Sequence, residues 1–194
     1  MFEFADIYGT SVISIHDGSV PGEIESPVID PENQKVLGFM LTGKRKKSGA
    51  FLRFEKISLI GKDVILIYSK KSIDSKQESS INSDAKLMGE KIIGLPVRTE
   101  TSKNMGTVTS FYFSEEGEIL YYEISGGYLN EMINGKGLIS KCGVVSLTCN
   151  EMKILETAKE VSDIMKTKAG LRHKATKIKE KARKSIEETL GGSP

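Results

Sequence analysis

The chain contains few of the residue types on which enzymes and metal proteins depend. Its 194 residues include no Trp, two Cys and two His. Two Cys are too few for a disulfide framework. Because free Cys usually packs as a small apolar residue, we expect Cys142 and Cys149 to be small buried thiols. His16, in a predicted turn, and His173, in a basic segment, are expected to be solvated.

Motifs for catalysis and metal binding are missing as well. His16 lies far along the chain from both Cys, so no zinc-like ligand spacing occurs. The sequence has no Gly-Lys-Ser/Thr phosphate loop and no Gly-x-Gly-x-x-Gly. With only two His, it offers little for general acid–base chemistry. We therefore expect no catalytic residue, no metal and no cofactor, and a protein that is not an enzyme.

Long apolar runs are also missing. No stretch of about eighteen apolar residues occurs, so no membrane-spanning helix is expected. The segment Met1-Phe-Glu-Phe-Ala-Asp6 has acids where a secretory signal has a basic region. A hydrophobic fraction of 38% with 28% charged residues is typical of soluble globular proteins. These features predict a cytoplasmic protein, and a basic segment described below leaves peripheral association with a membrane open.

One pattern occurs twice in the chain. From Gly22 to Leu41, and again from Gly106 to Ile124, a Gly precedes an alternating apolar run, an acidic turn and a second apolar run. This order is typical of a β-hairpin. The pattern predicts two homologous small β units, over residues 1–68 and 87–155. The polar segment 69–86 between them is predicted to be a flexible linker.

The start of each unit is aligned through a Gly. Gly89 is matched with Gly9, and the apolar residues that follow each Gly are matched at the same shift. Phe2 and Phe4 are expected to cover one end of the first unit. Units of about sixty residues bury little apolar surface and are marginal alone. They are therefore expected to pack on each other, on the C-terminal segment or on a second copy of the chain as a homodimer.

The C-terminal segment 156–194 has a different period. Apolar residues from Val161 to Leu190 recur at helical spacing, which predicts an amphipathic helix. Residues 166–184 hold nine basic residues and one acidic residue, a net charge of +8, which leaves −6 for the rest of a chain of net charge +2. Three hypotheses stay open: the helix lies on anionic lipid, binds RNA or a ribosomal surface, or packs within the protein. The candidate contacts to an anionic partner are Arg172, Lys174, Lys177, Lys181, Arg183 and Lys184.

Two further sets of residues are candidate contacts. A basic loop tip would bind RNA or another anionic surface, or would simply be solvated; it consists of Lys44, Arg45, Lys46 and Lys47. Tyr is favoured at protein interfaces, so Tyr121, Glu123 and Tyr128 are candidate protein contacts. Alternation along the strand places Tyr121 and Glu123 on one face and Tyr122 on the other, where it is expected in the core.

Several segments resemble the PRC-barrel domain family. They are Gly22-Glu-Ile-Glu, Val28-Ile-Asp-Pro31 and Ile60-Gly-Lys-Asp-Val64 in the first unit, with Gly106-Thr-Val108 and Glu118-Ile-Leu120 in the second. The family includes the photosynthetic reaction-centre H subunit and the C-terminal half of a bacterial ribosome maturation factor. The resemblance implies small β-barrels that act as adaptors by presenting loops and strand edges to proteins, with no ligand site to transfer.

Together these observations predict a mainly β protein with two tandem small PRC-barrel-like β-barrels and a C-terminal amphipathic α-helix. The expected function is that of a non-catalytic adaptor or scaffold that binds other proteins through its barrels, with the basic helix as an electrostatic anchor. Two alternatives remain. One is an RNA- or ribosome-associated assembly factor, and the other is a peripheral membrane-associated protein.

Overall fold

The computed structural model describes residues 1–42, 50–75, 87–88, 92–127 and 136–157. Within these ranges the chain is mainly β, as predicted, with one four-residue α-helix, Phe4–Ile7 (α1), and three 3₁₀ helices, Phe54–Lys56, Lys70–Ser72 and Lys141–Gly143. Strands of the N-terminal half are Phe2–Glu3 (β1), Ser11–Ser14 (β2), Gly22–Asp30 (β3), Lys35–Thr42 (β4), Ala50–Arg53 (β5), Ile57–Ile60 (β6), Val64–Ile67 (β7) and Ile73–Ser75 (β8). The remaining strands are Leu87–Met88 (β9), Pro96–Thr99 (β10), Asn104–Phe113 (β11), Ile119–Ser125 (β12), Lys136–Ser140 (β13), Val144–Leu147 (β14) and Met152–Ile154 (β15).

Both predicted hairpins are confirmed, and their turns are held by side chains. Strands β3 and β4 pair around a turn in which the Asp30 carboxylate accepts hydrogen bonds from the backbone N–H groups of Glu32 and Asn33, at 3.0 and 3.1 Å. In the turn between β11 and β12, the Ser114 hydroxyl accepts from the N–H of Glu116 at 3.1 Å. Short polar side chains that bond nearby backbone favour turns, so the local sequence fixes both hairpins.

The strands form two sheets of the same design. The first has the order β6-β7-β2-β3-β4-β5-β8, and the second has the order β14-β15-β10-β11-β12-β13. In each sheet the long hairpin is joined through a parallel pair, β2 with β7 or β10 with β15, to a short hairpin at the edge. The short hairpins are β6 with β7 and β14 with β15. Neither order returns to its first strand among the described residues, so the predicted closed barrels are corrected to two open sheets.

Each half of the chain gives its first strand to the sheet of the other half. Strand β1 pairs with residues 112–113 at the end of β11 in the second sheet, next to the turn of the second hairpin. Strand β9 pairs with residues 28–29 of β3 in the first sheet, at the corresponding place. The sequence predicts that Phe2 covers one end of the first unit. In the structure Phe2 instead belongs to the second sheet. The predicted boundaries at residues 68 and 87 do not separate the two sheets.

The two sheets share one hydrophobic core. The largest cluster of buried side chains runs from Phe4 to Ile154 and includes residues of both units. At its centre the ring of Phe4 is stacked on Phe111 of the second unit, with centroids 5.2 Å apart, and lies parallel to Phe39 of the first at 6.4 Å. Six of the seven phenylalanines make such contacts: Phe2, Phe4, Phe39, Phe54, Phe111 and Phe113. The two units therefore pack on each other.

Backbone hydrogen bonds also join the two hairpin turns. The N–H of Val36 donates to the carbonyl of Gly117 at 2.8 Å, and the N–H of Ile119 donates to the carbonyl of Gln34 at 2.9 Å. The side chain of Gln34 accepts from the hydroxyl of Tyr122 at 3.2 Å. Buried backbone groups must find partners, and here the turns of the two units satisfy each other.

Two details of the predicted organisation need correction. Residues Lys70–Ser72 form a 3₁₀ helix and β8 pairs with β5, so the predicted linker does not include residues 70–75. The equivalent of Gly9 is Gly94 and not Gly89. Both glycines have positive φ, +75° and +86°, and each donates its N–H to the corresponding hairpin strand, to Ile24 and Val108. The C-terminal helix predicted for residues 156–194 lies almost wholly outside the described residues.

Candidate protein-binding surface

Most of the residues predicted to contact an anionic partner lie outside the described residues. They are Lys44, Arg45, Lys46 and Lys47 of the basic loop and Arg172, Lys174, Lys177, Lys181, Arg183 and Lys184 of the C-terminal segment. Tyr128, a candidate protein contact, also lies outside them. Their proposed contacts therefore stay predictions.

The two other predicted protein contacts are described, and they differ. Tyr121 is half-buried against Tyr112 and Leu138 on the outer face of the second sheet. Glu123 is only 5% exposed, and its carboxylate accepts a hydrogen bond from the Thr109 hydroxyl at 2.8 Å. Such burial does not fit the prediction that Glu123 contacts a partner. Tyr122, on the opposite face, is fully buried, as alternation predicted.

The phenol of Tyr112 lies on this outer face, and both burial and nearby negative charge affect its pKa. Burial raises the pKa of Tyr112 above its ordinary value, and the negative charges of Glu3 and Glu123 raise it further. The group stays neutral over the physiological range. Tyr112 and Leu138, which surround Tyr121 on this face, are themselves buried, so the face offers little accessible surface.

The cysteines and the described histidine are all at the surface. Cys142 and Cys149 are exposed, so the prediction that they are buried is wrong. Cys142 lies in the 3₁₀ helix Lys141–Gly143 and Cys149 in the turn after β14, both outside the alternation that buries strand residues. His16 is exposed, as predicted. Among the described residues, no three His, Cys, Asp or Glu side chains lie close enough to bind a metal ion.

The first sheet carries exposed apolar side chains on the outer side of its edge hairpin. Strands β2 and β7 bury Val12, Ile65 and Ile67 in the core, so the alternate residues point outward. Those residues are also apolar. The register aligns Ile13 with Leu66, and Leu66 with Leu59. We call the five side chains the apolar face: Ile13, Ile15, Leu59, Leu66 and Tyr68.

Three members of the apolar face are largely in solvent. Ile15 is 57% exposed, Leu59 55% and Tyr68 67%, while Ile13 and Leu66 are half-buried between them. Ile15 and Tyr68 follow directly on the ends of β2 and β7, and the backbone keeps them in register because the N–H of Ile15 donates to the carbonyl of Ile67 at 2.9 Å. Single exposed apolar residues are ordinary, whereas a contiguous group is typical of an interaction site.

The second sheet has the same backbone at this place and different side chains. There the register aligns Arg98 with Lys153, and Lys153 with Ser146, in the way that Ile13, Leu66 and Leu59 are aligned. The N–H of Glu100 donates to the carbonyl of Ile154, as Ile15 does to Ile67. The positions equivalent to the apolar face are thus Arg98, Glu100, Ser146, Lys153 and Leu155. Four of the five are polar or charged, so the fold itself does not require an apolar surface here.

Polar interactions hold one end of the apolar face. A hydrogen bond from the Ser19 hydroxyl to the Asp17 carboxylate, 2.6 Å long, lowers the pKa of Asp17 below its ordinary value. The ionised Asp17 pairs with the ammonium of Lys70 at 3.2 Å, and the ring of His16 lies 6.4 Å from that of Tyr68. The residues on either side of Ile15 and Tyr68 are therefore fixed in place.

A surface cleft of about 580 Å³ lies where the two units meet. Its lining includes the rings of Phe4 and Tyr8, the ring of Pro27 and the carboxylate of Glu25. A general acid–base site needs a pair of groups held within hydrogen-bond distance of a substrate, and this lining contains a single ionisable carboxylate with one tyrosine. The cleft gives no indication of a reaction.

The described strands form two similar open sheets, each with a long central hairpin and a parallel pair beside it. A comparison with known protein families finds a match in the second half of the chain. Residues 88–139, from β9 to β13, match the family model of the PRC-barrel domain. The resemblance seen in the sequence is therefore confirmed for this segment. A search of curated proteins found no match.

No helix in the described ranges has the length and apolar character needed to cross a membrane.

Proposed function

We propose that the protein is a non-catalytic adaptor that binds other proteins, and that the apolar face is its contact surface. One observation carries the proposal: five exposed or half-buried apolar side chains lie together in the first sheet, where the equivalent positions of the second are mostly polar. Two units of one design share the same folding requirements. A difference confined to the outer surface therefore points to binding.

The free energy of burying apolar side chains favours a partner that covers the apolar face. Fully burying a Leu, Ile or Val side chain is favourable by about 1.5–3 kcal/mol, and the exposed members of the apolar face gain only part of this within the chain. A partner that covered Ile15, Leu59 and Tyr68 would supply it. Tyr is also enriched at the centre of protein interfaces, because it adds apolar area with a hydroxyl that can still bond.

The family comparison supports the same role. A resemblance to PRC-barrel domains implies adaptors that present strands and loops to proteins. The matched strand order of the two sheets supports a tandem pair of PRC-barrel-like units, in which the first unit has the partner-binding surface and the second has become polar at that place. We also propose that the protein is cytoplasmic.

A matched pair of variants tests the apolar face. Tyr68→Lys and Leu155→Lys add one cation at equivalent positions of the two sheets, and both side chains are exposed, 67% and 38%. Each tagged variant and the wild type would be used to capture proteins from a lysate of expressing cells, with quantification by mass spectrometry. We expect Tyr68→Lys to reduce capture of specific partners at least tenfold and Leu155→Lys to leave it unchanged.

Circular dichroism melts would show that both variants fold, and a partner would be accepted only if the reciprocal capture recovers this chain. Equal capture by Tyr68→Lys and the wild type would sink the apolar-face proposal. The RNA, ribosome and membrane alternatives depend on the basic residues outside the described ranges. Nuclease treatment of the lysate and addition of anionic vesicles would test them in the same experiment.

A further inference from the structure

The cleft where the two units meet has an exposed aromatic ring in its lining. Tyr8 directly follows α1 and is 64% exposed, and its ring meets the ring of Phe4 edge-on at a centroid distance of 6.3 Å. The ring of Pro27 lines the same cleft. Its volume of about 580 Å³ is within the usual range for ligand sites, which are concave and mostly apolar with a few polar groups. The cleft therefore has the size and the apolar surface of a binding site.

One carboxylate in the cleft has no cation beside it. Glu25 is half-buried and forms neither a hydrogen bond nor an ion pair with any described residue. The N–H of Gly9 donates to the carbonyl of Ile24 at 2.8 Å, so the residues next to them, Tyr8 and Glu25, lie close together in the lining. Withdrawing a charge from water is unfavourable unless an opposite charge or hydrogen bonds compensate it. A cation bound in the cleft would compensate the carboxylate of Glu25.

One hydroxyl in the cleft also has open bonding capacity. Ser26 is only 8% exposed, lines the cleft and makes no side-chain hydrogen bond within the part of the chain that the structure describes. Its equivalent is Ser110, because both serines follow the same bulge of the central hairpin. Ser110 is 2% exposed and accepts a hydrogen bond from the N–H of Ala5 at 3.3 Å. Since buried polar groups rarely lack a partner, Ser26 indicates a ligand that bonds its hydroxyl.

The fold itself does not require this lining. Tyr8 precedes Gly9 as Ile93 precedes Gly94, and Glu25 lies at the bulge of β3 where Thr109 lies at the bulge of β11. Ile93 and Thr109 line the same cleft, and the Thr109 hydroxyl already donates to the carboxylate of Glu123 at 2.8 Å. A carboxylate beside an exposed aromatic ring is therefore a property of the first unit and not of the design that both units share.

We propose that this cleft binds an arginine side chain of a partner protein. The inference rests on the proposed function, because it names the chemistry of a second contact to such a partner. A guanidinium is planar, so it can stack on the ring of Tyr8 while its N–H groups donate to the carboxylate of Glu25. A further N–H would donate to the hydroxyl of Ser26, and the aliphatic stem would pack on Pro27. Lysine has a compact ammonium with no planar face, so it matches this lining less well.

Titration of the full chain with a capped Leu-Arg-Leu tripeptide, followed by NMR spectroscopy, tests the site. We expect saturable shifts of the backbone amide signals of Tyr8, Ser26 and Thr109, with a dissociation constant between micromolar and millimolar. The tripeptide with lysine should bind about fivefold more weakly, and the one with citrulline, which lacks the charge, at least about tenfold more weakly. The absence of saturable shifts at these residues, or equal binding of the arginine and citrulline peptides, would overturn the proposal.

A free guanidinium compound is the alternative occupant of the cleft. Methylguanidinium has the planar cation without the aliphatic stem and the peptide backbone, so it should bind at least about tenfold more weakly than the arginine tripeptide. Equal binding of the two would reject a partner's arginine in favour of a small cation.

Glu25→Gln and Glu23→Gln are a matched pair of variants for the site. Both remove one carboxylate from β3, but Glu23 is exposed and is not part of the lining. Glu25→Gln should weaken binding of the arginine tripeptide at least about tenfold, and Glu23→Gln should change it less than about twofold. Tyr8→Ala should weaken it about fivefold through loss of the stacked ring. Wild-type affinity in Glu25→Gln would contradict the placement of the guanidinium.

A pair of serine variants tests the open hydroxyl. Ser110→Ala removes the acceptor of a hydrogen bond and should lower the urea concentration at the midpoint of unfolding, whereas Ser26→Ala should leave that midpoint unchanged. Ser26→Ala should instead weaken binding of the arginine tripeptide about two- to fivefold. If Ser26→Ala lowered the midpoint as much as Ser110→Ala, the hydroxyl of Ser26 would be engaged within the chain, and its contact with the ligand would be rejected.

The same variants separate the cleft from the adaptor function. If the tripeptide did not bind and Tyr68→Lys still lost partner capture, the arginine site would be rejected and the adaptor function kept. If the tripeptide bound and neither Tyr68→Lys nor Glu25→Gln changed capture, the adaptor function would be rejected and arginine binding by the cleft kept.

Discussion

At the scale of single residues, Gly117 lies where the turns of the two hairpins meet. Its φ is +83°, a region that residues with a side chain rarely adopt. A Cβ at this position would lie 3.0 Å from the carbonyl oxygen of Val36 and 3.1 Å from the ring of Phe54. Both of these neighbours belong to the first unit. The glycine therefore permits the hydrogen bond that joins the units.

We expect Gly117→Ala to destabilise the protein more than Gly9→Ala. Both substitutions place Ala at positive φ, at a cost of about 1–2 kcal/mol, but a Cβ at Gly9 meets nothing within 4 Å. Only the change at Gly117 also pushes the two turns apart. Urea unfolding of both variants measures the difference, and equal losses would show that the contact between the turns contributes little.

Tyr122 joins the two units through its hydroxyl. The hydroxyl donates to the side-chain oxygen of Gln34 at 3.2 Å, and burial raises the pKa of Tyr122 above its ordinary value. The folded state therefore favours the neutral phenol more than the unfolded chain does. The resulting stability is fully present below the ordinary pKa of about 10 and is lost as the pH rises toward the folded pKa.

Tyr122→Phe should lower the free energy of unfolding at neutral pH by about 0.5–1.5 kcal/mol, the usual value of one hydrogen bond. Above a pH of about 10 the difference between the wild type and Tyr122→Phe should shrink, because only the wild type must keep this phenol protonated. Urea unfolding at several pH values gives both quantities. A difference that stays constant into alkaline solution would contradict the burial argument.

At the scale of elements, β1 and α1 begin the chain but contact the second sheet. Strand β1 pairs with β11, and Phe4 of α1 stacks on Phe111 of the same strand. We expect removal of residues 1–8 to weaken β11, because Phe2 and Phe4 would leave the rings of Phe113 and Phe111 uncovered. Replacing a buried Phe by Ala costs about 3–5 kcal/mol, so the loss should be large. Hydrogen exchange should show protection lost first in β11.

Point variants give that experiment a control. Phe4 is 4% exposed and Tyr8, at the other end of the same element, is 64% exposed. Phe4→Ala should reproduce much of the effect of the deletion, whereas Tyr8→Ala should change stability by less than about 0.5 kcal/mol. Loss of protection confined to β3 and β4 would contradict the assignment of β1 to the second sheet.

The sequence predicts the elements better than their partners. Alternation and turn residues such as Asp30 and Ser114 act locally, so both hairpins follow from the pattern. Which sheet a two-residue strand joins depends on packing more than a hundred positions away, as for Phe2 and Phe113. The equivalence of Gly9 and Gly94 was missed because the segments were aligned by apolar residues, while the structure aligns them by positive φ and hydrogen bonding.

A sequence signal for the apolar face was present. The run Val64-Ile-Leu-Ile-Tyr68 is apolar at every position, whereas a strand with one solvated face alternates. Such a run indicates that both faces are covered. Glu123 shows the opposite case. Alternation predicts its face correctly but cannot show that Glu123 is buried there and accepts a hydrogen bond from Thr109.

At the scale of the whole molecule, the two units share one core, so we expect one unfolding transition. Two independent domains on a linker would unfold separately, but opening either sheet here would expose the phenylalanines of both. Differential scanning calorimetry should give a van't Hoff enthalpy equal to the calorimetric enthalpy. Two resolved transitions would contradict a shared core.

The exchange of β1 and β9 also has a consequence for how the chain is made. Residue 2 leaves the ribosome 111 residues before residue 113, its partner in the sheet. At synthesis rates of 5–20 residues per second, the interval is about 6–22 s. During that time the first phenylalanines have no sheet to join, and the edge of β3 stays open until residue 88 emerges. Nascent chains of this protein therefore cannot finish one half before starting the next, and any chaperone that shields them must hold the N-terminus longest.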